Sequence, residues 1–107
     1  MTVNEYLAAE HARYMETHTD EFGRFRNAKH IQCADGLKLS VQASEYHYCE
    51  PRESFGPWSH VEVGFPSRIV ADLLPYAEEP KRPTKTVYGW VPVDVVDAVI
   101  AAHGGMV

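Results

Sequence analysis

His30-x-x-Cys33 and His47-x-Cys49 put two imidazoles and two thiols within twenty residues, which is the donor set of a tetrahedral zinc site. The spacing argues against it. Residues three apart on a strand point to opposite faces, so His30 and Cys33 would converge only through a bulge, and no metal ligand is assigned. A second chemistry would use Cys49 as nucleophile, His47 or His60 as base, and Glu50 or Glu53 to orient the base. Nothing in the sequence supplies an oxyanion hole for it. A small Cys/His-dependent or zinc enzyme therefore stands as an alternative reading, with no catalytic residue and no cofactor assigned.

The stretch from Ser44 to His60 has a different character: it interrupts a strand-like alternation and is rich in aromatic residues, both signs of charge and proline. Rigid rings give contact area at low entropic cost, and Arg with carboxylates gives direction. Tyr46, Tyr48, Arg52, Phe55 and Trp58 are the candidate binding residues, with the rings stacking on a partner and Arg52 pairing with a phosphate or carboxylate. If the strand continues, Tyr46 and Tyr48 share a face. One or two of these rings could instead cap the core of a small sheet, leaving the turn from Pro51 to Pro57 exposed. Double replacement of Arg52 and Trp58 by Ala is expected to spare the fold and abolish binding. Glu45, Glu50, Glu53 and Glu62 also gather here, but a net charge of −5 is modest for a nucleic-acid mimic, and Arg52 interrupts the cluster.

Local signals define the elements that must carry these residues. Thr2-Val3-Asn4-Glu5 is a capping box, so a helix should begin near Val3, with Val3, Leu7, Tyr14 and Met15 on its apolar side. The pattern fades by Asp20, and Gly23 permits a change of direction. From Lys29 the period becomes two: Ile31 and Cys33, then Leu37, Leu39, Val41 and Ala43, with Asp35-Gly36 between them. A three-residue loop of Ala34, Asp35 and Gly36 sets Cys33 opposite Leu37 and Ile31 opposite Leu39, keeping all the apolar side chains on one side. A two-residue loop would mix the faces, so the longer loop is preferred.

Val61, Val63 and Phe65 mark a third strand, and Ser67 is placed as the cap of a short helix through Ile69, Val70, Leu73 and Leu74 that Pro75 stops. Glu78 to Thr84 reads as an exposed connection. Thr86 to Val91 forms a fourth strand, with Tyr88 and Trp90 on one face as core or edge packing. Pro92 then starts the clearest helix, with Val96, Val99, Ile100 and His103 on one face and Gly104-Gly105 ending it. The expected fold is α+β: one domain over residues 1–107, a small antiparallel sheet of about four strands with N-terminal and C-terminal helices packed on it.

With 107 residues, 45% of them hydrophobic and 23% charged, the chain has ordinary globular composition and room for one core. The acidic balance disfavours binding to nucleic acid or to anionic lipid. Arg24/Arg26/Lys29 and Lys81/Arg82/Lys85 lie beside carboxylates and read as solvated segments. The first residues carry neither a basic nor an apolar targeting segment, and no run approaches a membrane span, so a cytoplasmic location is expected, with Cys33 and Cys49 as thiols.

Cys33-Ala-Asp-Gly-Leu, Ser40 to Arg52, Val61-Glu-Val-Gly-Phe-Pro-Ser and Tyr88 to Val96 together resemble short, uncharacterised proteins encoded by tailed phages and prophages, over roughly Ile31 to Gly105. The resemblance brings no catalytic residues. It implies an accessory gene product that binds and blocks a component of a host defence complex, as anti-CRISPR proteins do, in the host cytosol. The leading reading is thus a non-enzymatic inhibitor that occludes a protein surface. The alternative is a sponge for a nucleotide second messenger, which would use the same aromatics and Arg52 at a homo-oligomer interface, since one thin sheet offers little concavity.

Overall fold

The computed structural model describes residues 1–17 and 27–107. Gly23, Arg24 and Arg26 lie outside the described residues. Helix α1 spans Val3–Thr17 and begins with the capping box read from the sequence: the Thr2 amide donates to Glu5 Oε1 at 2.7 Å, and the Glu5 amide donates to Thr2 Oγ1 at 3.1 Å. Strands β1 (Ile31–Gln32) and β2 (Lys38–Gln42) pair with Ile31 opposite Leu39. The Cys33 amide donates to the Leu37 carbonyl, and Gly36 sits at φ 97°, so the turn is the three-residue bulged loop.

β3 (His60–Gly64) and β4 (Val87–Pro92) extend the antiparallel sheet in sequential order, β1-β2-β3-β4. Helix α2 (Val93–Ala102) follows β4 directly. The architecture is α+β, with both helices on the sheet. Leu39, Val41, Val61, Val63, Tyr88 and Val91 meet Val3 and Leu7 of α1 and Val96, Val99 and Ile100 of α2 in one buried cluster. Burying such side chains contributes about 1.5–3 kcal/mol each, the dominant favourable term in folding.

A bulge in β4 decides which rings enter this core. Val61 faces Val91, yet Val63 faces Tyr88, so Gly89 and Trp90 together oppose the single residue Glu62. Tyr88 and Val91, three apart, would point to opposite faces of a regular strand; the extra residue lets both reach the core. Trp90 is turned out. The expectation that Tyr88 and Trp90 share a face is therefore corrected: Tyr88 is fully buried and donates its hydroxyl to the Pro83 carbonyl, while Trp90 is half exposed at φ 47°.

Other boundaries also shift. Phe65 leaves the strand at φ 50° and is exposed instead of joining Val61 and Val63 inside. Ser67 caps no helix; it pairs with Lys38, its amide on the Lys38 carbonyl at 2.8 Å and its Oγ accepting the Lys38 amide at 2.9 Å. A 3₁₀ turn then runs Ala71–Tyr76 with Pro75 inside it, and Ile69 is exposed. Pro92 closes β4 and precedes the helix it was expected to begin.

The two edges of the sheet are both covered. Residues 105–107 run along β1, with the Val107 amide on the Gln32 carbonyl and the Ala34 amide on the Gly105 carbonyl, and Ala77 bridges to Tyr88 beside β4. The tail can turn back because α2 ends in a Schellman motif: Gly105 donates to Ile100 O at 2.9 Å, and Gly104 at φ 91° donates to Ala101 O at 3.1 Å.

Asp35, at the tip of the hairpin, ties three segments together. Its carboxylate accepts the Leu37 amide at 3.0 Å, Arg68 Nη2 at 2.9 Å and His103 Nδ1 at 2.6 Å. The Leu37 amide first, then His103 and Arg68, hold its pKa down at about 2 from the usual 3.8. A carboxyl whose folded pKa is depressed stabilises the fold above its unfolded pKa, and that contribution disappears as pH falls toward the folded value. The melting-temperature gap between wild type and Asp35→Asn is expected to close as pH falls from about 4 toward 2. A pH-independent gap would sink this account.

Candidate functional site

The segment between β2 and β3, residues 43–59, does not continue the strand. Ser44 is fully buried and organises the first turn: its Oγ accepts the Tyr46 amide at 3.0 Å and bonds His47 Nδ1 at 2.6 Å. Oγ has one hydrogen and two lone pairs, so with the Tyr46 amide on one lone pair it pairs with Nδ1 in either neutral tautomer of the ring. Burial, with the nearby Arg52 charge, pushes the His47 pKa down and keeps the ring neutral. The pair is an ST-turn reinforced by an imidazole, built to shape the loop.

Cys49 sits beneath this turn. It is buried, with Sγ 3.1 Å from the Ser44 carbonyl and 3.3 Å from the Pro51 carbonyl. Burial raises its pKa, and that of Cys33, so both remain thiols at neutral pH. His30 is exposed while Cys33 is buried, and among the described residues no group of three His, Cys, Asp or Glu side chains is placed to hold a metal ion. Both cysteines should resist a thiol-reactive aromatic disulfide in the native protein and react fully in urea. Cys49→Ser should leave function intact. Rapid native-state reaction of Cys49, or loss of function in a folded Cys49→Ser protein, would restore the nucleophile reading.

The five residues singled out in the sequence divide into two groups. Tyr48 is the centre of the first: its amide donates to Glu62 Oε1 at 3.2 Å, and its carbonyl accepts the Trp90 amide at 3.0 Å. Its ring lies 5.0 Å from that of Trp90, centroid to centroid, at 31°, and the Arg52 guanidinium carbon lies 5.7 Å from the Tyr48 centroid. Tyr46, exposed, stands on the same turn. Glu62 is half buried behind the bulge; burial raises its pKa, Glu78 adds to that, and the Tyr48 amide and Arg52 oppose it.

Phe55 and Trp58 belong elsewhere, against α1. Phe55 is 60% exposed and meets the His11 ring edge-on at 4.3 Å. Trp58 is 3% exposed, which corrects its assignment to an exposed contact surface: it is core. Its indole N–H donates to the Glu53 carbonyl at 3.1 Å, while Asn4 clamps its backbone, Oδ1 accepting the Trp58 amide at 2.8 Å and Nδ2 donating to the Trp58 carbonyl at 2.9 Å. Trp90, by contrast, was read as packing and instead joins the first group. A glycine beside it inside an otherwise regular strand pattern was the available signal of a bulge.

Together these features describe a small α+β protein whose most distinctive surface is an aromatic and arginine cluster held by a β-bulge. No family model, curated protein or solved structure proves similar to the chain. Among the described residues no helix is long and apolar enough to cross a membrane.

Proposed function

We propose that this is a non-enzymatic binding protein that acts as an inhibitor, of the kind phages encode against host defence complexes, by occluding a surface of its target. One observation carries the reading. A tryptophan is held half exposed, in a left-handed conformation costly for any residue but glycine, against a tyrosine that an arginine also covers. Glycine or asparagine is the ordinary occupant of such a backbone. Trp, Tyr and Arg are the residues that dominate binding energy at protein interfaces.

The same geometry favours a protein partner over a nucleotide. Tyr48 and Trp90 already touch at 5.0 Å, so no base enters between them without parting the pair. The sealed thiol of Cys49 likewise supports binding over covalent chemistry.

The test is phage plating on cells that carry a CRISPR–Cas or other defence system. Expression of the protein should restore plating on at least one such strain, and Arg52→Ala/Trp90→Ala, still folded by circular dichroism, should not. If a panel of defence systems shows no relief, the reading is overturned.

A further inference from the structure

Where the 43–59 loop folds over the first turns of α1 it leaves a partly open cavity of about 460 Å³, walled by Ala8, His11, Ser54, Phe55, Pro57 and Trp58. That volume lies within the range of small-molecule sites, which are mostly apolar with a few convergent polar groups. It is separate from the Tyr48/Trp90 cluster and plays no part in the proposed occlusion. We propose that this cavity binds a small, uncharged, planar aromatic molecule carrying one hydrogen-bonding group, which Ser54 receives.

The Ser54 hydroxyl is the polar feature that points to a ligand. Ser54 is only 8% exposed, and its Oγ has no hydrogen-bond partner among the described residues. A buried hydroxyl left unpaired is a standing cost that native proteins rarely carry without a reason. Ser54 is one of the residues that wall the cavity. Asn4 is held away from this role by the Trp58 backbone, which takes one bond from each end of its amide.

Shape and charge narrow the class of ligand. Phe55 meets His11 edge-on beside the buried Trp58 indole, an arrangement suited to a flat ring. Gly56 keeps that wall thin: a Cβ there would come within 2.6 Å of Trp58 Cε3. Burial lowers the His11 pKa, so the imidazole offers an anion no positive charge, and the Glu5 carboxylate, kept ionised by the Thr2 amide, repels one.

The experiment uses phenol and toluene, two flat rings of similar size that differ in one hydroxyl, titrated separately into the full ¹⁵N-labelled chain. Phenol should cause saturable amide shifts confined to the wall residues Ala8, His11, Ser54, Phe55 and Trp58. Ser54→Ala should weaken phenol by about fivefold, the value of one net hydrogen bond, and leave toluene unchanged. Ala8→Leu, a substitution on an exposed helical position that fills the cavity, should abolish the shifts for both. The proposal is overturned by shifts that do not saturate or that fall at Tyr48 and Trp90. Equal losses of phenol and toluene in Ser54→Ala would overturn it too, as would undiminished binding in Ala8→Leu.

Discussion

Trp58→Ala will destabilise the protein by about 3–5 kcal/mol, the usual cost of truncating a buried aromatic to alanine. The indole is almost wholly enclosed, and its N–H is the donor to the Glu53 carbonyl. Deleting it opens a void between the 43–59 loop and α1 and leaves that carbonyl unpaired. A domain of this size has a net stability of about 5–15 kcal/mol, so the variant should be marginal or unfolded at 37 °C. Urea denaturation followed by far-ultraviolet circular dichroism checks it: the midpoint should fall with the slope unchanged. A loss below about 1 kcal/mol would mean that the ring is peripheral. The Arg52/Trp58 double replacement, expected from the sequence to spare the fold, should instead lose stability for the same reason, and loss of binding in it would say nothing about a surface.

That error shows where the sequence stops being legible. The capping box at Thr2, the bulged turn at Asp35-Gly36 and the Schellman stop at Gly104-Gly105 are signals spanning a few residues, and each was readable because its hydrogen bonds close within that span. The side on which the loop rings lie is set by distant partners. Asn4 clamps Trp58 from 54 residues away, and Glu62 receives the Tyr48 amide from 14 away. No local spacing encodes either contact.

Register errors have a similar origin. Strand alternation has a period of two, so one extra residue in β4 exchanges the faces of everything on one side of it, and Trp90 moved from expected packing to solvent. Ser67 is chemically suited to cap a helix, but its hydroxyl and amide found the Lys38 backbone, a choice only tertiary proximity could dictate. That the segment between β2 and β3 leaves the strand was legible from its composition. Which of its rings reach solvent, and which ring from another strand joins them, depended on the fold.

Trp90→Gly separates surface from scaffold, because it should leave stability within about 1 kcal/mol of wild type while removing the proposed interface. Glycine relieves a left-handed backbone penalty of about 1–2 kcal/mol. Against that stand about 0.5–1.5 kcal/mol for the lost contact with Tyr48 and about 0.5–1 kcal/mol for glycine's greater freedom in the unfolded chain. Trp90→Ala loses the same ring contact but keeps the backbone penalty, since its Cβ is as crowded at φ 47° as that of tryptophan. Trp90→Gly should therefore melt above Trp90→Ala, an order opposite to that found in ordinary strands. In target binding the two should be alike, each weakened by about 2 kcal/mol or more, roughly thirtyfold, if Trp90 is an anchor of the interface. If Trp90→Ala is the more stable variant, the bulge does not strain this position. If either variant inhibits as well as wild type, the target is engaged through another face.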